Sequence, residues 1–569
     1  MYLDPNKQFI MDEFDGKEYT ICEAVFIVKD TTDLLTCRHT IELRIYNRYH
    51  NVYYTIALPR RALSKSIASK LCDYGVSISA ESPENAEHLI DFILSTEANA
   101  EHVFSHNQLG FAEVNGRSCF LAHRPIALKP PEKDAKKFWC DAMNKSEYTN
   151  PRKTKPRGTF RSWRKVMQRE VIGRPKLELA LALGALAPVS HILREAGIVT
   201  DIPLNALIGP SSIGKTASLR IIASIYGVPS VGDGFISNMH STVNGLYAQL
   251  AANYGAAAIF DEVTGTVGMD LSSIIYFMPN GRDKVRCNPD GSLKDPVKFS
   301  GAIFFSSEKS LFESTINTDG LHARLVEFPF VWTASKQNAQ CLERQLNANC
   351  GTAVYPLMKW LMNQEDWLIE TYKEEYERLC AEHARINSKA SNVSNRVLKI
   401  YAQILVAAQA ASISLNLPLA IPEMRKLLLR TLKDNPVAEV NIEDEYESLK
   451  AFVLDNCSKF PPHTTHPALF NSIWGFTKLH CGSKEVWIHK DIFESQLKKI
   501  SNRDSKSVMK ELTANGWLYQ DSQRHRLFEE KINGVSAKFY RLVLGQQQSK
   551  NAQPKAKKFP SPQLQSLLA

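Results

Sequence analysis

Residues 209–216 read Gly-Pro-Ser-Ser-Ile-Gly-Lys-Thr. This fits G-x-x-x-x-G-K-[ST], the pattern of a loop that cradles phosphates. Gly209 and Gly214 permit tight backbone turns that aim N–H groups at phosphate oxygens, and Pro210, Ser211, Ser212 and Ile213 complete the loop. Lys215 brings a charge to the β- and γ-phosphates, and Thr216 offers a hydroxyl to Mg²⁺. The flanks agree. Leu204-Asn205-Ala206-Leu207-Ile208 reads as a short apolar strand leading in, and Ala217-Ser218-Leu219-Arg220-Ile221-Ile222 starts a helix leading out. Strand, loop and helix together predict an α/β P-loop core with ATP and Mg²⁺ as its cofactors.

Further elements complete such a site. Ala256 to Phe260 is an apolar strand ending in Asp261-Glu262. Asp261 is expected to hold Mg²⁺, and Glu262 to polarise the attacking water as a general base. A third strand, Gly301 to Phe305, ends in Ser306-Ser307. ATPases of the AAA+ type place a polar side chain there to sense the γ-phosphate; Ser307 is the first choice and Ser306 the second, against a plain strand-end serine. Arg324 precedes an apolar strand. It is either a structural ion-pair partner or an arginine finger acting on ATP bound by a neighbouring subunit. Arg396 opens an amphipathic helix, Arg396 to Ser412, as a second sensor arginine at the nucleotide or as a solvated helix-end residue.

Between the second and third strands, Arg282, Lys284, Arg286, Lys294 and Lys298 alternate along two arms. Asn288-Pro289-Asp290-Gly291 forms the turn between them. Alternation puts the cations on one face of a β-hairpin. In a ring ATPase this insertion projects into the central channel, where a basic hairpin suits the backbone of single-stranded DNA. An exposed hairpin without a ligand is the alternative.

Several of these residues carry a family resemblance: Gly158-Thr159-Phe160, the P-loop, Asn244-Gly245-Leu246, Asp261-Glu262, Asn280-Gly281, Ser306-Ser307 and Arg324-Leu325-Val326. Over roughly residues 20 to 545 the chain resembles a domain-of-unknown-function family labelled "predicted inactivated superfamily-two helicase", found in prophages and integrative elements. Members include helicases of staphylococcal cassette chromosome elements, which are similar to minichromosome-maintenance helicases. The resemblance implies an AAA+ fold, a homo-hexameric ring and DNA unwinding in replication of a mobile genetic element. An ATP-dependent DNA-binding switch or loader, or a phage-defence ATPase, is the alternative. The "inactivated" label does not suit a chain that holds every ATP-site element named above. Asp283 stands where the family often has glycine. The N-terminal region matches only loosely, through Leu109-Gly110-Phe111, and gains no role from the resemblance.

The 569 residues and net charge of +9 fit several domains and a mild lean toward polyanions. The 11 cysteines are scattered without a C-x-x-C pair, which suits a reducing interior. Met1-Tyr2-Leu3-Asp4-Pro5-Asn6 does not read as a signal peptide. The most apolar stretch, Leu177 to Leu193, contains Glu178, Pro188, Ser190 and His191, so it reads as a buried helix, not a membrane span. A cytoplasmic protein is expected. Residues 1–148 form an N-terminal α/β domain without a catalytic motif, with strands at 19–28 and 36–46 and helices at 61–74 and 84–95. Residues 149–165 form a basic linker, either solvated or touching a nucleic-acid backbone. The ATPase core spans 160–335, a helical region 336–435, a winged-helix domain 440–545 and a disordered tail 546–569.

In the winged helix, helices are expected at 490–500 and 504–515, and strands at 524–532 and 535–544 around an Asn533-Gly534 turn. Lys506 and Lys510 on the second helix, with Arg524, Arg526, Lys531, Lys538 and Arg541 in the wing, suit duplex DNA. Docking to a protein is the alternative. His463, His466, His480, Cys481 and Cys457 fit no zinc spacing. The end of the tail, 562–569, loosely resembles a peptide that binds the bacterial sliding clamp. No primase signature is visible, so a separate primase is expected.

Overall fold

The computed structural model describes residues 1–64, 66–78, 83–127, 136–150, 153–239, 243–263, 271–283, 286–287, 290, 292–314, 321, 323–386, 392–434, 442–463, 473–480, 483–501, 505–532 and 535–544. The chain divides into two compact units, one reaching Val437 and the other starting at Ala438. The tail expected at 546–569 lies outside the described residues.

The core sheet contains β1 (Leu109–Val114), β2 (Arg117–Leu121), β3 (Pro125–Ala127), β4 (Leu204–Ile208), β5 (Ser237–Asn238), β6 (Asn253–Asp261), β7 (Ser300–Ser307) and β8 (Leu325–Phe328). Its order is β3-β2-β1-β6-β7-β4-β8, with β5 also beside β6. The strands β5, β6, β7, β4 and β8 run parallel, with Leu204 opposite both Ile303 and Leu325. A parallel sheet is covered on both faces, which is why β6 and β7 read as nearly unbroken apolar runs. Helix α1 (Phe160–Glu170) and α2 (Pro175–Glu195) precede β4, and α3 (Lys215–Tyr226) follows it. From Leu177 to Ser190, every residue of α2 is buried, so its apolar length serves the core, as expected.

After β8 the chain is helical: α4 (Lys336–Ala348), α5 (Val354–Leu361), a helix over Glu365–Ile386, α6 (Asn392–Leu415) and a helix over Ile421–Asp434. Helix α6 packs on α2 in one continuous core. Among the described residues, two helical stretches, Pro175–Glu195 and Ser394–Leu415, are long and apolar enough to cross a membrane; both are mostly buried.

Two boundaries differ from the sequence reading. Residues 109–127 were expected in the N-terminal domain, yet β1 joins the core sheet alongside β6, through Leu109↔Asn253 and Gly110↔Tyr254. Gly110 explains the fit. Its φ is +96°, and a Cβ there would lie 2.0 Å from the Tyr254 carbonyl oxygen, so only glycine lets the two backbones meet. Phe111 then stacks on His191 of α2 at 4.5 Å. The remainder of the N-terminal region includes a three-stranded sheet of Tyr2–Leu3, Phe9–Phe14 and Lys17–Glu23 and a five-stranded sheet of Val25–Asp33, His39–Asn47, Val52–Pro59, Glu101–His106 and Ser146–Tyr148, with helices at Ile67–Cys72, Pro83–Ser95 and Lys136–Lys145.

The second correction concerns the basic linker. Arg157 exchanges both backbone hydrogen bonds with Cys350, Val228 N–H donates to the Lys153 carbonyl, and Thr154 is buried. The stretch is pinned to the core because its backbone groups are paired there.

The C-terminal unit holds α7 (Ile442–Asp455), β9 (Gly475–His480), β10 (Ser483–His489), α8 (Lys490–Ile500), α9 (Ser505–Ala514), β11 (Leu527–Ile532) and β12 (Val535–Leu544). The sheet order is β9-β10-β12-β11. Phe493, Leu497, Val508, Leu512 and Leu542 fill its core. Helix, helix, hairpin matches the expectation; β9 and β10 add a hairpin that the sequence reading left out.

Candidate nucleotide site and DNA-contact surfaces

The phosphate loop joins the end of β4 to α3. Gly209, Ser212 and Gly214 have φ of +131°, +69° and +92°, positive angles that let the loop turn tightly. Gly214 is doubly constrained. A Cβ would sit 2.5 Å from Thr333 Oγ1, because the strand-end segment after β8 crosses the loop and Trp332 N–H donates to the Ile213 carbonyl at 2.8 Å. The free N–H groups at the start of α3 make its N-terminus a place for anions.

Around the loop lies a cleft of about 460 Å³, lined by Ser211, Ser212, Gly214, Lys215, Thr216, Asp261, Glu262, Ser306 and Ser307 among others. The parallel register of β4, β7 and β6 brings these residues to one strand end. Thr216 Oγ1 lies 3.5 Å from Asp261 Oδ2, so hydroxyl and carboxylate can share one Mg²⁺. Glu262 adopts φ +58°, strain of the kind that collects where a side chain must be aimed. Burial holds the Lys215 ammonium below its ordinary pKa, while Glu308, Asp261 and Glu262 pull the other way. Its Nζ donates to the Gly209 and Pro210 carbonyls at 2.5 and 2.9 Å. A helix N-terminus, a lysine, a threonine and two carboxylates around one cleft fit a magnesium–nucleoside triphosphate.

The strand-end serines divide their work differently from the expected ranking. Ser306 Oγ donates to Asp261 Oδ1 and accepts from Glu262 N–H at 2.9 Å. Ser307 Oγ instead donates to the Lys309 carbonyl at 2.5 Å. Successive side chains leave a strand on opposite faces of the sheet, so the two hydroxyls meet different surroundings. Glu308 is a residue the sequence reading missed; it accepts from Ser211 Oγ at 2.5 Å. Its sole signal was a place next to Ser307.

Arg324 and Arg396 lie elsewhere. They share a second cleft of about 400 Å³ with Lys399 and residues 198–203. Those residues lead into β4, whereas the phosphate loop leaves it, so the strand's five residues, about 17 Å, separate the two ends. The guanidinium of Arg324 sits 4.4 Å over the Tyr276 ring. Arg396 therefore does not reach the phosphate loop of its own chain, as a sensor in the same subunit would.

The basic hairpin forms. Arg286 pairs with Lys294 and Arg282 with Lys298 in one antiparallel register, and Arg282 and Lys298 are exposed. Lys284 and the tip residues Asn288 and Pro289 lie outside the described residues. In the C-terminal unit, Lys506 and Lys510 are exposed one turn apart on α9, and Arg524 and Lys538 are exposed. Arg526 is half-buried, its Nε donating to Thr513 Oγ1 at 3.0 Å. Arg541 is no wing contact. It is buried and donates to both oxygens of Glu485 at 2.9 Å. His463 pairs with Glu530 at 3.3 Å. No group of three metal-ligating side chains occurs among the described residues.

Comparisons with known proteins follow the same division. No curated protein matches the sequence. The model of the Cch helix turn helix domain matches residues 441–547. Among solved structures, "SCCmec type IV Cch - active helicase" is similar at 21% identity and a TM-score of 0.66, covering 95% of this chain and 96% of that one. The apo structure of the NrS-1 C-terminal region aligns over 91% of this chain and 96% of its own, at 10% identity and a TM-score of 0.27. The fold is thus that of the Cch helicase. The model described as "Domain of unknown function (DUF927)" matches residues 7–298, just over half of the chain, which places the protein in the DUF927 family.

Proposed function

We propose that the chain is one subunit of an AAA+ ATP hydrolase that forms a hexameric ring and unwinds DNA in the replication of a mobile genetic element. The observation that carries this reading is the split of the ATP chemistry between the two ends of β4. Lys215, Thr216, Asp261 and Glu262 stand at one end, and Arg324, Arg396 and Lys399 at the other. The strand order, with β4 between β7 and β8, supports the AAA+ assignment.

ATP with Mg²⁺, held by the loop, Thr216 and Asp261, supplies a phosphoryl group for transfer to water. Glu262 takes the proton of the attacking water, and Ser306 fixes the Asp261 carboxylate that holds the metal. Lys215 neutralises charge on the β- and γ-phosphates. Arg324 reaches the site of the next subunit and stabilises charge in the transition state, and Arg396 and Lys399 extend the same face. The basic hairpin and the winged helix supply the contacts to single-stranded and duplex DNA.

Glu262→Gln should retain ATP binding, lower hydrolysis roughly a hundredfold or more and abolish strand displacement on a tailed duplex. Mixing Lys215→Ala with Arg324→Ala protein should restore part of the hydrolysis that each lacks. An intact pair forms wherever the loop of an Arg324→Ala subunit meets the arginine of a Lys215→Ala subunit. Undiminished turnover in Glu262→Gln refutes the catalytic assignment; failure of the mixture refutes the shared site.

A further inference from the structure

Segments far apart in the chain meet around a third cleft of about 430 Å³. Arg124 comes from the turn between β2 and β3, Lys155 from the pinned basic stretch, and Tyr355 and Lys359 from α5. His123 completes the set. No carboxylate is among the described residues that line it. The cations register on their neighbours. Burial lowers the pKa of His123, Arg124 and Lys155 lower it further, and Glu147 opposes them. Three cations on a lining without a carboxylate repel one another, and a polyanion relieves that repulsion.

The cationic surface continues past the cleft. Along 153–157, exposure alternates: Lys153, Lys155 and Arg157 are exposed, Thr154 is buried and Pro156 is half-buried. The three cations thus share the solvent side over about 13 Å of chain. Phosphates recur regularly along a nucleic-acid strand, and a row of this length can meet more than one of them. Its ends are held: Lys153 by Val228 and Arg157 by Cys350. The row is therefore preorganised, unlike a free basic linker.

We infer that the cleft of Arg124, Lys155 and Lys359, with the exposed row Lys153 to Arg157, binds the phosphodiester backbone of a nucleic-acid strand. It is a contact separate from the basic hairpin and the winged helix, and it rests on the proposed action on DNA.

The test is the double variant Arg124→Glu, Lys359→Glu, titrated with a fluorescent oligothymidylate over a salt series. Affinity should fall at least tenfold, and the slope of log affinity against log salt should shrink by roughly 1.4, the loss of two single-strand phosphate contacts. DNA-free ATP hydrolysis should stay within about twofold of the parent, as neither residue touches the nucleotide cleft. Unchanged oligonucleotide affinity and slope overturn the inference. So does a variant that keeps DNA binding but loses binding of ATP to the Lys215→Ala background, which would make the cleft a free-nucleotide site. If the parent unwinds duplex and the variant binds DNA normally, the cleft inference alone fails. If the variant loses DNA while the parent never unwinds, the helicase reading alone fails.

Discussion

Two clusters of charge, one from each unit, have opposite surroundings. In the first, Lys215, Asp261, Glu262 and Glu308 converge on open volume, and the phosphate cleft leaves room for a ligand among them. In the second, Arg541 and Glu485 are closed off. Their bidentate pair is 6% and 3% exposed, and the guanidinium lies 3.5 Å from the Tyr519 ring centroid and 4.9 Å from those of Trp487 and Phe528. Charge around a cavity is available to a substrate; charge sealed on every side stabilises or specifies structure. The same residue type thus serves catalysis or architecture according to what surrounds it.

The sharpest way to break this contrast is to open the sealed pair. Arg541→Ala leaves the Glu485 carboxylate buried without its partner, which costs about 3–5 kcal/mol. Urea denaturation followed by the fluorescence of Trp487 and Trp517 should show the C-terminal unit melting early, with ATP hydrolysis by the first unit retained. Replacing both, Arg541→Met with Glu485→Leu, should recover most of the loss, because no uncompensated charge remains. If Arg541→Ala proves as stable as the parent but binds DNA poorly, Arg541 is a DNA contact after all.

A smaller effect comes from groups buried in their neutral form. His191, stacked on Phe111 and hydrogen-bonded to Ser300 Oγ, has its pKa pushed down to about 4 by burial, with Arg194 adding to the shift. His106 is likewise lowered to about 4 by burial. An unfolded histidine titrates near 6.5, so between pH 6.5 and 4 the unfolded chain binds more protons than the folded one. Stability is then present above pH 6.5 and lost as pH falls, by about 2 kcal/mol per histidine at pH 5. Denaturation at pH 7 and pH 5 measures the loss, and His191→Gln should remove its share. An equal loss in that variant would show that His191 is not the proton acceptor. Because Phe111 belongs to β1, the acid-sensitive contact also tests whether β1 is part of the core.

The contrast explains which parts of the molecule were legible in sequence. The phosphate loop, Asp261-Glu262 and the strands leading to them were readable because backbone geometry fixes spacing within a loop and at a strand end. The helices at 490–500 and 505–514 were readable from apolar periodicity and caps. The role of Arg541 was not, because its partner Glu485 lies 56 residues away and the sealing rings come from three different segments. Ser306 and Ser307 are neighbours with one composition, and only the register against β6 decides which reaches Asp261. Leu109-Gly110-Phe111 was visible as a motif, but its purpose depends on meeting Tyr254, far along the chain. That Arg396 shares a cleft with Arg324 was not legible, since sequence gives a helix its face before it gives it a neighbour.

The smallest predicted effect lies at the exposed end of the contrast. Lys506 and Lys510 stand one turn apart on α9 with exposed side chains, so removing them leaves no buried group without a partner. Lys506→Ala with Lys510→Ala should change the stability of the C-terminal unit by no more than about 0.5 kcal/mol. Two lost phosphate contacts on duplex should reduce the salt slope by roughly 1.8 and weaken binding about tenfold at moderate salt. Arg526 offers the internal control. Its Nε is committed to Thr513, so Arg526→Ala should cost stability through the lost hydrogen bond as well as any affinity. Duplex affinity unchanged in the double lysine variant would move the C-terminal unit from DNA contact to protein docking. Affinity lost together with stability would mean that α9 is held by those lysines, and the division between exposed and sealed charge would fail in this unit.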